Sequence, residues 1–121
     1  MQISSRRMNK TIEGEIRKMF YQLLCDLEEQ EEVKTLLDDL LTEAETVAIV
    51  KRLAIAVYLE KGRSYENIKN NLMVSSATIA TVAEQMGDPG IQLALRKIKA
   101  DQWAEGASQK ISGIMKKITG K

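Results

Sequence analysis

An all-α domain is the fold class this sequence predicts, and three features carry that expectation. Ala, Leu, Ile, Glu and Lys dominate a chain of 121 residues, and these types favour helix over strand. Pro89 is the only proline, so no ring interrupts a helix before that point. Apolar residues recur at i, i+3, i+4 and i+7 along most of the chain, the spacing of one helix face. The length suits one domain with a modest core.

The N-terminal residues 1–9 are polar and include Arg6 and Arg7. They read as a mobile arm, whose basic residues suit phosphate contacts or a frayed end equally well. Ile12, Ile16, Met19, Phe20, Leu23, Leu24 and Leu27 then form a wide apolar stripe, which predicts a first helix from about Lys10 to about Gln30. A shorter helix carries Val33, Leu36, Leu37, Leu40 and Leu41. Thr42-Glu-Ala-Glu45 is a capping box, since the Thr hydroxyl and the Glu carboxylate can each satisfy a backbone N–H at a helix start. The helix it opens, through Val47–Leu59, is apolar nearly all round apart from Lys51 and Arg52, the pattern of a helix buried on most faces. Gly62 is suited to terminate it.

The stretch from Ser64 to Met86 predicts two short helices joined by a tight turn, with Ser64 and Ser75 as N-caps. Ile68 and Leu72 stand one turn apart on the first. On the second, Ile79, Val82, Ala83 and Met86 form one apolar stripe. Its other face carries Ser76, Ala77, Thr78, Ala80, Thr81 and Glu84. Small uncharged side chains are what a helix lying deep in a DNA major groove needs, because bulk would hold its backbone away from base edges. The pattern fits a helix-turn-helix, and it fits an ordinary helical hairpin too. Gly87-Asp-Pro-Gly90 reads as a break, followed by a sixth helix with Ile91, Leu93, Ala94, Leu95 and Ile98, extending toward Trp103. Beyond Gly106, Ile111, Ile114, Met115 and Ile118 resume helical spacing among Lys110, Lys116, Lys117 and Lys121. This basic amphipathic segment suits a partner helix, an anionic surface or a frayed end. The expected organisation is therefore an arm over 1–9, a helical domain over 10–104 and a basic extension over 105–121.

Composition narrows function further. The chain has no histidine, and Cys25 is its only cysteine. That removes the usual Cys/His zinc sites, an intrachain disulfide and the common nucleophile–base pairs. No metal, cofactor or enzymatic activity is expected. Cys25 reads as a small core residue. The apolar run Leu53–Leu59 is too short to span a bilayer, and residues 1–9 lack a signal-peptide core, so a cytoplasmic location is expected. Net charge is only +1, but it is unevenly spread. Carboxylates crowd Asp26–Glu45, and lysines and arginines crowd Ile91–Lys121.

Several stretches together resemble the tryptophan repressor family. They are Leu40-Leu-Thr-Glu-Ala-Glu45, Lys51-Arg-Leu-Ala-Ile55, Leu59-Glu-Lys-Gly62, Ser64-Tyr-Glu-Asn-Ile-Lys-Asn-Asn-Leu72 and Ala77-Thr-Ile79, ungapped from about Leu36 to Met86. The chain is most similar to the YerC/YecD branch of that family. The resemblance implies about six helices in an intertwined homodimer of the Trp-repressor type, acting as a sequence-specific, repressor-like transcriptional regulator on double-stranded DNA. It assigns Ala77, Thr78, Ala80 and Thr81 to base edges, and Lys69 and Asn70 to phosphates; Ser76, on the same outer face, completes the expected DNA-binding set. The alternative is a helical interaction module that kept the fold and lost DNA binding.

Two departures from the family accompany the resemblance. Tryptophan repressors grip their corepressor between two arginines. The first matches Arg52, but the second falls on Thr81 and a neighbouring small residue on Val82. A carboxylate grip needs arginine geometry, so a tryptophan response is not expected. Arg52 and Thr42 remain the candidate contacts of an unidentified small-molecule effector, with pairing of Arg52 to Glu45 or Glu60 as the competing expectation. The second departure concerns the helix-turn-helix. No Lys or Arg occurs between Lys69 and Arg96, and Met73 stands where the family's turn carries glycine. Either the turn closes differently here or DNA binding has drifted.

Overall fold

The computed structural model describes residues 6–99. Residues 1–5 of the expected arm, Trp103 and the basic extension over 105–121 lie outside the described residues. Every regular element among those described is a helix: α1 (Lys10–Asp26), α2 (Gln30–Leu40), α3 (Glu43–Glu60), α4 (Tyr65–Leu72), α5 (Ser76–Glu84) and α6 (89–99). The chain divides into two compact units, Met1–Ile49 and Val50–Lys121.

In the first unit, local signals set the helix ends. The Asn9 side chain accepts from the N–H groups of Thr11 and Ile12 at 2.9 and 3.3 Å, satisfying two donors that a helix start leaves open. α1 stops at Asp26, four residues short of the expected end. Leu27 is extended, with ψ 126°. The reason is a second capping box just downstream, where the Glu32 carboxylate accepts from the N–H groups of Glu28 and Glu29 at 3.3 and 3.2 Å. These residues start a new helix and cannot prolong the old one. Leu41 caps α2 and lies outside it.

At the head of α3, Thr42 and Glu45 form the expected reciprocal pair. The Glu45 N–H donates to Thr42 Oγ1 at 3.1 Å, and the Thr42 N–H donates to Glu45 Oε1 at 2.8 Å. The backbone N–H of Thr42, and then its hydroxyl, hold the Glu45 carboxyl below its ordinary range. No residue of α1 or α2 is buried. Met19 is 66% exposed, and Ile12, Ile16, Phe20, Leu23 and Leu24 are also exposed. Cys25 is exposed too, against the expectation of a core thiol, because α1 finds no cover within its unit.

The second unit contains the core. Ile55 and Ala56 of α3, Ile68 of α4, Ile79 and Val82 of α5 and Leu95 of α6 form one buried cluster. Val57, Tyr58, Leu59, Leu72, Val74, Met86 and Ile91 pack around it. Each fully buried Ile or Val side chain contributes roughly 1.5–3 kcal/mol relative to exposure. α3 is not covered on most faces as its composition predicts. Val47 and Ile49 on the first-unit part of the helix are exposed, as are Val50 and Leu53 on the second-unit part.

α3 ends in a Schellman motif. Gly62 adopts φ +76°, its N–H donates to Leu59 O, and the Arg63 N–H reaches back to Tyr58 O at 3.0 Å. α5 ends at Glu84, with Gln85 as its cap, so Met86 packs on the core from outside the helix. The break at 87–90 is shorter than expected. Asp88 O accepts from the Gln92 N–H at 3.0 Å, and Pro89 and Gly90 already belong to α6. Proline fits a first helical turn because its missing N–H would have been unsatisfied there.

Candidate nucleic-acid interface

α4, a turn and α5 form a helix-turn-helix anchored by serine caps. Ser64 Oγ accepts from the Asn67 N–H and Ser75 Oγ from the Thr78 N–H, each at 3.1 Å. Such caps are typically worth about 1 kcal/mol each. The inner face is closed, since Ile68 and Ile79 have no exposed surface and Val82 retains 1%.

The turn closes on Met73, which adopts φ 53° and ψ 56°. It is the one non-glycine residue with positive φ among the described residues. The expectation that the turn closes differently around the methionine is not met: Met73 itself takes the left-handed conformation and tolerates it by pointing its side chain outward, 77% exposed. The Met73 N–H donates to Lys69 O at 2.9 Å. Its carbonyl accepts from Lys51 Nζ, on α3, at 3.0 Å. Lys51 has a structural role at this turn that sequence reasoning missed. Its partner lies 22 residues away, and no local pattern links them.

On the outer face of α5, Ser76, Ala77, Thr78 and Thr81 are exposed, whereas Ala80 is half-buried. Ala80 therefore departs from the expected outward set, because it flanks the buried Ile79. Two of the hydroxyls are engaged with their own helix. Ser75 Oγ and Thr78 Oγ1 lie 2.9 Å apart, and Thr81 Oγ1 donates to Ala77 O at 3.0 Å, the back-bonding common for threonine inside a helix. Lys69 and Asn70 are exposed on the last turn of α4, next to Met73.

The residues suggested for a small ligand fall apart by role. Thr42 belongs to the first unit, where its hydroxyl caps α3. Arg52 belongs to the second unit and is exposed. It pairs with neither Glu45 nor Glu60. Ion pairs among the described residues include Arg7–Glu13, Arg17–Glu13 and Lys34–Asp38, none of which involves Arg52, and the Glu45 carboxylate is engaged by Thr42. Among the described residues, no cluster of three or more His, Cys, Asp or Glu is placed to hold a metal, and no helix is long and apolar enough to cross a membrane.

Two capped helices around a tight turn, closed inside and presenting small side chains outside, define an all-helical protein of the helix-turn-helix class. Residues 15–99 match the Trp repressor protein family. The chain belongs to that family of helix-turn-helix, DNA-binding regulators. Among curated proteins, no sequence matches the chain.

Proposed function

We propose that the chain acts as a homodimeric, sequence-specific DNA-binding regulator of the repressor type, in the cytoplasm. Each copy inserts α5 into one of two successive major grooves. The carrying observation is the contrast between the two faces of α5: Ile79 and Val82 are sealed inward, and Ala77, Thr78 and Thr81 are exposed outward on side chains short enough to admit a close backbone. Thr78, Thr81, Ala77 and Ser76 meet base edges in this reading, with Ala80 contributing through its partly covered methyl. Lys69 and Asn70 meet phosphates. The bare apolar faces of α1 and of the front of α3 support a second copy as their cover. Arg6, Arg7, Lys69 and the C-terminal lysines supply the charge, since phosphate neutralisation dominates non-specific affinity.

Regulation by tryptophan in the family manner is not part of this proposal. Thr81 stands where the second arginine of the clamp belongs, with its hydroxyl committed to Ala77 O, and Val82 is buried. The stretches Asp38-Asp-Leu-Leu-Thr42, Lys51-Arg-Leu53 and Ser64-Tyr65 support a place in the YerC/YecD branch. Isothermal titration is expected to find no tight, stoichiometric tryptophan binding.

The test of DNA recognition is Thr78→Glu. Position 78 is three residues after the Ser75 cap, where glutamate strengthens a helix start, so fold and dimer are retained. Loss of site-specific binding is expected, measured on genomic fragments selected by the wild-type protein at two salt concentrations. Unchanged binding removes α5 from the interface. One observation favours a second reading, a protein-interaction module. α5 carries no cation, and Glu84 is exposed on it. A folded dimer that selects no fragment at either salt concentration supports that reading.

A further inference from the structure

We infer that Lys51 is a positioning residue: it clamps the turn of the helix-turn-helix and so sets how α5 is presented. This rests on the DNA-reading role proposed for α5. Met73 lies in the left-handed region, where a residue with a Cβ is strained, and its 77% exposed side chain recovers little through packing. Something else must hold the conformation. The Met73 N–H is tied to Lys69 O, but this bond would survive many turn geometries, as it merely ends α4.

The Met73 carbonyl is the group whose direction depends on the residue's ψ angle. It is met by Lys51 Nζ at 3.0 Å. Hydrogen bonds from a charged donor are stronger than neutral ones. Lys51 is also well placed to act as a fixed point. It is half-buried and stands one turn before Ile55, which has no exposed surface, so both lie on the same face of α3. The clamp therefore refers the turn to the helix that carries the centre of the core. Two residues past the clamped carbonyl, Ser75 caps α5, so a change at Met73 is passed directly to the start of that helix.

The other left-handed residue among those described provides a contrast. Gly62 has φ +76°, carries no Cβ, and has no side-chain donor on its carbonyl among the described hydrogen bonds. The clamp occurs at the left-handed position that has a Cβ.

The experiment compares Lys51→Met, Lys51→Arg, Met73→Gly and the double variant Lys51→Met/Met73→Gly. Amide hydrogen exchange without DNA reads the turn, and binding to a selected fragment reads presentation. Lys51→Met is expected to lower protection of the Thr78 and Ile79 amides, which donate to Ser75 Oγ and Ser75 O just past the turn, by about tenfold, the scale of one charge-assisted bond, leaving α1 and α2 unchanged. Site-specific affinity should fall in parallel. Lys51→Arg, which keeps a charged donor, and the glycine of the double variant, which removes the strain, should each restore both readouts. Unchanged turn protection in Lys51→Met overturns the inference, as does a loss that neither variant rescues. Lost protection with full affinity overturns the claim about presentation. If the wild-type protein binds no DNA, the proposed function fails, and the exchange data still decide whether Lys51 holds the turn.

Discussion

α1 and α5 are both well-capped helices with an apolar stripe, yet one stripe is sealed and the other is bare. Asn9 caps α1 with two hydrogen bonds, and Ser75 caps α5 with one. Local chemistry is at least as good at α1. What differs is cover: Ile79 and Val82 of α5 are buried, whereas nothing in α1 is. Capping and spacing determine where a helix forms, and burial depends on what another surface brings to it. α5 finds that surface on α3, α4 and α6. α1 finds none within its unit, and the proposed second copy would supply it.

The largest effect should come from attacking the bare stripe. Leu24→Asp is expected to convert the proposed dimer to monomer, read by analytical ultracentrifugation. A variant that sediments like the wild-type dimer separates α1 from the interface and breaks the comparison. Next is truncation of the sealed stripe: Ile79→Ala should cost about 2–5 kcal/mol in denaturant unfolding, the range for large-to-small core changes. The two substitutions should differ in kind as well. In the proposed dimer, stability that depends on α1 should rise with protein concentration, because assembly is linked to folding, whereas the direct loss at Ile79 is internal to one chain. A smaller effect is expected at the caps. Ser75→Ala and Thr42→Ala should each cost about 1 kcal/mol, measured the same way.

The smallest effect is in acid. The Glu45 carboxyl is held below its ordinary range by Thr42, so its contribution is fully present above the ordinary glutamate range. It disappears as pH falls through the depressed folded value. Glu45→Gln should flatten the acid limb of helix content followed by circular dichroism. An unchanged limb would show that the capping box does not sense pH.

The helix-turn-helix was legible because its determinants are close in sequence. Ser64, Ser75 and the Ile79–Val82 spacing act over a few residues, and the caps fell where expected. The end of α1 was not, because Leu27 suits a continuing stripe equally well and the competing Glu29–Glu32 box is built from residues that also read as a solvated acidic face. Cys25 and the front of α3 were misjudged for one reason. Apolar character signals that a face seeks cover, but does not say whether the same chain provides it. Lys51 was invisible as a turn residue, since its bond spans α3 and α4 and depends on a backbone angle at Met73. Ala80 was placed outward by helical spacing alone, although the edge of a buried stripe is half-covered on either side.

The bond from Thr81 to Ala77 O has a consequence in the language of base pairs. With its proton committed inward, the Thr81 side chain offers lone pairs and a methyl group, and Ala77 beside it offers a methyl. If α5 enters the major groove as proposed, such a surface would complement the exocyclic amines of cytosine and adenine and the thymine methyl. Guanine's O6 and N7 both need a donor, and here that proton already lies along the helix.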